Sequence, residues 1–251
     1  MLNQIVHGEK TDRPSLLIVH GLYGSGRNWG VIAKRLSDER QVIAVDQRNH
    51  GFSPWHDSHG YEDMADDLAE VIRAQGAPMD VLGHSMGGKA AMVLALKFPH
   101  LVNRLIVADI APVGYGHSQL QYIKAMRAVD LSKVEKRSDA EAQLREIVDD
   151  PVLPTFFTQS LDVAEKRWRL NLDALERDME KILDFPPVGG RFDGSTLFLS
   201  GADSDYVKSE HRPVIKGFFP AAKFAKIPGA GHWLHAEKPR EFEAAVRAFL
   251  G

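Results

Sequence analysis

Short, almost continuous runs of apolar residues recur along this chain of 251 residues, and stretches with apolar residues at helical spacing separate them. The first pattern is typical of buried parallel strands and the second of amphipathic helices. Strands are predicted over residues 15–19, 41–45, 79–82, 104–108, 196–199 and 223–227. Helices are predicted over residues 29–36, 61–74, 89–98, 209–218 and 238–250. This alternation predicts an α/β protein with a mostly parallel central sheet flanked by helices.

Residues 112–190 interrupt the alternation. They contain no clear strand, and helices are predicted over residues 119–131, 139–148, 161–171 and 172–183. A helical insert between two strands is expected over the carboxyl edge of the sheet, where α/β proteins bind ligands. We therefore expect a core of residues 1–111 and 191–251 and a helical lid, or cap, of residues 112–190. A purely structural helical layer is the alternative.

Composition and charge exclude several classes of function. The formal net charge is −3 and no long run of lysine and arginine occurs, so neither nucleic acid nor a membrane surface is an expected partner. The absence of cysteine removes disulfides, cysteine-based zinc sites and thiol catalysis. No signal peptide is visible, and no apolar run reaches about 18 residues, so no membrane span is expected. We expect a cytoplasmic protein that is a monomer or a homodimer.

A G-x-S-x-G pattern at residues 83–87 is the strongest chemical signal in the chain. A predicted strand precedes it and a predicted helix follows it, so Ser85 is expected on a tight turn between the two. Glycines on either side of the serine allow the backbone segments of such a turn to approach closely. The turn exposes the serine oxygen above the sheet, and Ser85 is therefore the candidate nucleophile.

A serine nucleophile needs a general base and donors for the oxyanion. His232 is the candidate base because it follows the last predicted strand on a glycine-rich turn, whereas His84 and His235 are expected to be structural. The oxyanion hole is expected from two backbone N–H groups. One belongs to Met86, directly after the nucleophile, and the other to Leu22, in the loop after the first predicted strand.

Four segments resemble those of a known family: His20-Gly21, Asp46-Gln47-Arg48-Asn49-His50-Gly51-Phe52-Ser53, Gly83-His84-Ser85-Met86-Gly87-Gly88 and Gly231-His232. Together they are similar to the motifs of the α/β-hydrolase fold, and the resemblance extends over essentially the whole chain. Residues 46–51, 83–91 and 108–112 resemble the YbfF-type esterases more narrowly. That subgroup has asparagine, here Asn49, where many hydrolases of the fold have glycine. The resemblance implies an α/β-hydrolase fold with a Ser-His-acid triad.

The acid of this triad has three candidates. Asp109 ends the fourth predicted strand, whereas Asp203 and Asp205 follow the fifth. Most members of the fold have the acid after the later strand, three residues beyond a glycine, and Ser204 occupies that position here. The resemblance to YbfF-type esterases implies that the acid has moved to the earlier strand. We therefore expect Asp109, with Asp203 and then Asp205 as alternatives.

These residues predict a serine hydrolase that cleaves carboxylic esters through an acyl-enzyme, with no metal and no organic cofactor. The expected substrate is a small-molecule ester or thioester. An acyl-CoA thioesterase or a lactonase with the same triad is the alternative among enzymes. A non-catalytic ligand sensor of the same fold is the alternative from another class.

Residues around the expected site fall into three groups. A buried polar network is expected from Asp46, Arg48 and His50. Four aromatic residues are candidates for an acyl pocket or for packing: Phe156, Phe157, Trp168 and Trp233. Four basic residues are candidates for the mouth of a pocket: Arg27, Lys89, Lys124 and Arg127.

Overall fold

Seven of the nine strands form one sheet in the computed structural model, which describes all 251 residues. The strands are β1 (Gln4–His7), β2 (Leu16–Val19), β3 (Val42–Val45), β4 (Met79–His84), β5 (Val102–Ala108), β6 (Leu161–Asp162), β7 (Arg167–Trp168), β8 (Thr196–Gly201) and β9 (Ala222–Ile227). The sheet has the order β1-β3-β2-β4-β5-β8-β9. All six strands predicted from apolar runs are present and pair in parallel, so the mostly parallel sheet is confirmed. Strand β1 pairs antiparallel at the edge and is only partly buried, which explains why no apolar run indicates it.

Eleven helices surround the sheet or form the insert. They are α1 (Gly30–Leu36), α2 (Tyr61–Gln75), α3 (Met86–Lys97), α4 (Leu120–Ala128), α5 (Arg137–Arg145), α6 (Leu153–Thr158), α7 (Leu172–Arg177), α8 (Met179–Leu183), α9 (Arg212–Phe218), α10 (Leu234–Glu237) and α11 (Pro239–Leu250). Helices α2 and α3 pack on one face of the sheet, and α1 and α11 pack on the other. None of the eleven combines the length and apolar character that a membrane-spanning helix requires.

Two hydrophobic cores lie on the two faces of the sheet. Leu17 and Val19 of β2 point into the larger core, with α2, α3 and the insert, whereas Leu16 and Ile18 point into the smaller core, with α1 and α11. Successive side chains of a strand alternate between faces, and here both faces are buried. The central strands are therefore apolar along their whole length, and their carboxyl ends form one shared edge.

The insert of residues 112–190 is not entirely helical, and the helix predicted over residues 161–171 is wrong. This stretch forms the β6–β7 hairpin instead. Lys166 has a φ of 49°, a left-handed conformation that does not continue a helix. The Asp162 carboxylate accepts the Glu165 N–H at 3.3 Å within the same turn. Trp168 is buried by the hairpin and donates its indole N–H to the Met126 carbonyl at 2.9 Å, so the apolar residues here follow a hairpin rather than a helix.

Backbone and polar contacts attach the second half of the insert to the core. The Asn171 N–H donates to the Asn49 carbonyl at 2.9 Å, and the Asn171 side chain donates to the Asn49 amide oxygen at 3.1 Å. Asn49 has a φ of 65°, in the left-handed region that asparagine tolerates better than most residues. The His59 N–H donates to the Asp178 carboxylate, between α7 and α8, at 2.7 Å. Helices α7 and α8 therefore have a fixed position relative to the sheet.

Candidate active site

Ser85 lies on a sharp turn between β4 and α3, with φ 53° and ψ −122°. Two glycines permit this turn. A Cβ on Gly83 would lie 2.2 Å from the Gly87 carbonyl oxygen, and a Cβ on Gly87 would lie 2.3 Å from the Val19 carbonyl oxygen. Only glycine fits at these two positions without displacing backbone. The strained turn presents the Ser85 hydroxyl at the carboxyl edge of the sheet.

The structure brings Ser85, His232 and Asp109 together in one hydrogen-bonded chain. Ser85 Oγ lies 3.0 Å from His232 Nε2, and His232 Nδ1 lies 2.8 Å from Asp109 Oδ2. His232 reaches this position on the turn after β9, and Asp109 follows β5 with a φ of 51°. Asp203 and Asp205 are exposed and make no hydrogen bond to His232. The geometry is that of a nucleophile, a base and a group that orients the base.

Ser204 also contacts the buried Asp109 carboxylate. Asp109 Oδ1 accepts the Gly201 N–H at 3.1 Å, and Oδ2 accepts the Ser204 hydroxyl at 2.5 Å as well as His232 Nδ1. Ser204 is the residue at the usual position of the acid, so sequence reasoning identified this position without assigning it a role. Tyr206, which no sequence signal indicated, stacks on the His232 ring at 4.0 Å between ring centroids. Burial, with the nearby Asp109 charge, raises the pKa of Tyr206 to about 12.

The two expected oxyanion donors are both placed beside Ser85. Met86 is the first residue of α3, where backbone N–H groups have no partner within the helix. The Leu22 N–H makes no hydrogen bond within the protein. The loop that contains Leu22 packs against the turn at Ser85: a Cβ on Gly21 would lie only 3.3 Å from the Ser85 Cβ. The donor role of these two groups stays a prediction.

Neutral histidines hold the Leu22 loop in place. His20 Nε2 accepts the Gln47 N–H at 2.9 Å, and His50 Nε2 accepts the Tyr23 N–H at 3.2 Å. Burial lowers the pKa of both histidines, so both remain neutral acceptors. The loop is therefore fixed on both sides of Leu22.

The polar network expected after the second predicted strand is confirmed. Asp46 accepts the N–H groups of Gly26 and Phe52 at 2.8 and 2.9 Å. Arg48 pairs with Asp67 at 2.6 Å, and His50 contacts the Arg48 carbonyl at 2.9 Å. These contacts fix the backbone of the loop that follows β3 and do not reach Ser85.

A cavity of about 220 Å³ opens at Ser85 between the sheet edge and the insert. Three of the four aromatic candidates line it, namely Phe156, Phe157 and Trp233, whereas Trp168 does not. Lys89 is the one basic candidate in its wall. Arg127 is instead paired with carboxylates on the surface of the insert. No group of three histidine, aspartate or glutamate side chains is close enough to hold a metal ion.

Comparison with known proteins gives four findings. The family model described as the alpha/beta hydrolase fold matches residues 14–239. The chain is 41% identical to the sn-1-specific diacylglycerol lipase ABHD11 of Mus musculus, over 94% of this chain and 81% of that protein. It is 36% identical to the esterase YbfF of Escherichia coli strain K12, over 94% of this chain and 92% of that protein. A solved structure titled as a marine microorganism esterase superposes with a TM-score of 0.93 at 40% identity, covering 99% of this chain and 98% of that one. The resemblance to the α/β-hydrolase fold and to YbfF-type esterases is confirmed.

Proposed function

Because the chain belongs to the α/β-hydrolase family and is a hydrolase of the esterase and lipase type, we propose that it cleaves small carboxylic esters through an acyl-enzyme on Ser85. The observation that supports this proposal is the hydrogen-bonded chain from Ser85 through His232 to Asp109. The similar mouse protein is named as a lipase for diacylglycerol and the bacterial one as an esterase. We take from these names only the class of bond, a carboxylic ester.

The proposed reaction has two halves. Ser85 Oγ attacks the ester carbonyl while His232 Nε2 accepts the proton of the Ser85 hydroxyl. The N–H groups of Leu22 and Met86 stabilise the oxyanion that forms. His232 then protonates the leaving alcohol, and the acyl group stays on Ser85. In the second half His232 activates a water molecule, which releases the acid and restores Ser85. Asp109 stays ionised and keeps the imidazole proton on Nδ1, so that Nε2 is free to accept a proton.

We also propose that residues 112–190 act as the cap of the site and that residues 1–111 and 191–251 form its core. The insert contributes Tyr122, Phe156 and Phe157 to the cavity wall. These aromatic rings suit an apolar part of the substrate, because they offer large apolar surfaces beside the reacting carbonyl.

Initial rates on p-nitrophenyl esters from acetate to palmitate, beside CoA thioesters of the same chain lengths, test the proposal. The wild type is expected to hydrolyse the esters, and Ser85→Ala is expected to lose at least about 10³-fold in kcat. A fluorophosphonate probe should add its mass to the peptide that contains Ser85. Retained activity in Ser85→Ala would contradict the proposal. Thioester turnover without ester turnover would favour the thioesterase, and no turnover by folded wild type would favour the sensor.

A further inference from the structure

Lys89 is a buried cation in the wall of the candidate site. It lies on α3 four residues after Ser85, and its backbone N–H donates to the Ser85 carbonyl at 3.1 Å. Lys89 is 1% exposed. Its Nζ donates to the Leu183 carbonyl at 2.8 Å and to the Asp184 carbonyl at 2.7 Å, at the end of α8. Lys89 thus joins the helix of the nucleophile to the insert and also faces the cavity.

The charge of Lys89 has no counterion in the protein. No carboxylate oxygen lies within 4.0 Å of its Nζ, and its two acceptors are neutral carbonyls. The aromatic rings of Tyr115 and Tyr61 are its other neighbours, with centroids 4.9 and 5.8 Å from Nζ. An ammonium group has three donors, so one N–H remains for a further acceptor. An uncompensated cation in an enclosed site favours the binding of an anion.

The other ionisable groups near Lys89 do not neutralise it. The Asp184 side chain is exposed and accepts the Phe185 N–H. The Asp109 carboxylate is occupied by the contacts that orient His232. His117 also lines the cavity, and burial, together with the nearby His232 and Lys89, lowers its pKa, so it supplies no negative charge. Asp150, at the wall formed by the insert, is exposed and accepts two backbone N–H groups of its own loop.

We propose that Lys89 binds a carboxylate carried by the substrate, so that the preferred substrates are esters with a negative group apart from the scissile bond. This inference rests on the proposed function and adds a substrate class to it. Apolar side chains of Met86, Ile110 and Ile182 line the same cavity as Lys89 and Ser85. A short aliphatic chain between the ester and the carboxylate would contact this apolar wall, with the ester at Ser85 and the anion at Lys89.

The test compares pairs of esters in which a second carboxyl group is either free or blocked as an alkyl ester, with kcat/KM expressed per scissile ester bond. The monoethyl esters of succinate, glutarate, adipate and suberate carry the carboxylate on the acyl side, and the corresponding diethyl esters are neutral controls. The acetate ester of 4-hydroxybutyrate and its methyl ester form the same pair with the carboxylate on the alcohol side. The readout is the ratio of kcat/KM for the anionic ester to that for the neutral ester. For at least one pair the wild type should give a ratio of roughly 10 to 100, the effect of one hydrogen bond to a charged group.

Two variants separate charge recognition from a structural role. In Lys89→Met the ratio should fall to about one or below, whereas Lys89→Arg should retain a preference for the anionic ester because it keeps the cation. A merely structural role would lower kcat/KM on both esters equally and leave the ratio unchanged. The ratio is measured within each variant, so partial loss of folded protein does not affect it.

The pH dependence of the ratio is a second readout on the wild type alone. Burial, offset in part by the Asp184 charge, lowers the pKa of Lys89 to about 7. Lys89 is cationic below this value, so the preference should decline between about pH 6 and about pH 9, while the carboxylate of the substrate stays ionised. Protonation of the general base changes kcat/KM for both esters by the same factor, so this effect cancels from the ratio.

The outcomes distinguish this inference from the proposed function. Turnover of the neutral diesters with a ratio near one in every pair and at every pH would overturn the role of Lys89 and leave the esterase intact. No turnover of either ester by folded wild type would overturn both. A preference in the first series assigns the carboxylate to the acyl side, and a preference in the second assigns it to the alcohol side.

Discussion

Replacement of Asp109 by asparagine removes one charge with almost no change of shape, and it tests how the imidazole is oriented. In the native site, Oδ1 of Asp109 accepts the Gly201 N–H, and Oδ2 accepts from both Ser204 Oγ and His232 Nδ1. Asparagine offers one acceptor oxygen and one NH₂ donor at the same two positions. It can therefore adopt two orientations, which differ in free energy.

An NH₂ group at the Oδ1 position would face the Gly201 N–H, and a buried unsatisfied donor costs roughly 1–3 kcal/mol. An NH₂ group at the Oδ2 position donates to His232 Nδ1, and the Ser204 hydroxyl can rotate to accept from it. The second orientation is therefore favoured. It moves the imidazole proton to Nε2, which can then no longer accept the Ser85 proton. We expect kcat to fall roughly 10³- to 10⁴-fold, or about 4–5.5 kcal/mol of transition-state stabilisation.

The assay is the initial rate on p-nitrophenyl butyrate, with thermal unfolding by circular dichroism to establish that the variant is folded. Asp203→Asn is the matched control, because Asp203 is exposed and does not contact His232. We expect it to keep kcat within about twofold of the wild type, as surface substitutions away from a site usually have small effects. A folded Asp109→Asn protein with more than about a tenth of the wild-type kcat would falsify the tautomer reasoning. A loss of this size in Asp203→Asn, with activity kept in Asp109→Asn, would reassign the acid to Asp203.

Two further predictions concern stability. Gly83→Ala should lower the melting temperature or prevent folding, because its Cβ would lie 2.2 Å from the Gly87 carbonyl oxygen. Gly30→Ala is the control and should not lower the melting temperature, because no atom lies within 4 Å of its Cβ. Equal melting temperatures of the two variants would contradict this. Burial lowers the pKa of His59 and of His235 to about 3, so only the unfolded chain takes up their protons below about pH 6.5. The free energy of unfolding from urea titrations should then fall by up to about 1.4 kcal/mol per pH unit for each histidine as the pH drops from about 6.5 toward 3. A His59→Gln variant with an unchanged slope would refute this.

The main features of the sheet could be predicted from the sequence because its central strands are buried on both faces. Residues such as Leu16 and Leu17 of β2 are both apolar, and no turn residue interrupts the run. The hairpin at residues 161–168 could not be predicted in this way, because its strands have only two residues each. Its turn depends on the left-handed conformation of Lys166 and on the burial of Trp168 against Met126, which is distant in the chain.

The candidate site was predictable to different degrees. Glycines around Ser85 and the turn before His232 are local signals, and they placed both residues where the structure has them. The choice between Asp109 and Asp203 is not local, because it depends on which strand end faces the histidine turn. The surroundings of Lys89 are also not local, since the carbonyl groups that it contacts lie 94 and 95 residues away along the chain.

The strand order has a consequence for how activity appears as the chain folds. Ser85 and His232 are 147 residues apart in the chain, and Asp109 and His232 are 123 apart. The proposed base follows β9, an edge strand that joins the sheet only through β8. Contacts between distant segments require the closure of long loops and form slowly. During refolding we therefore expect hydrolysis to return after the helical signal, because a collapsed intermediate with β9 undocked has no base. The rate at which activity returns would then measure the rate at which the edge strand β9 docks onto the sheet.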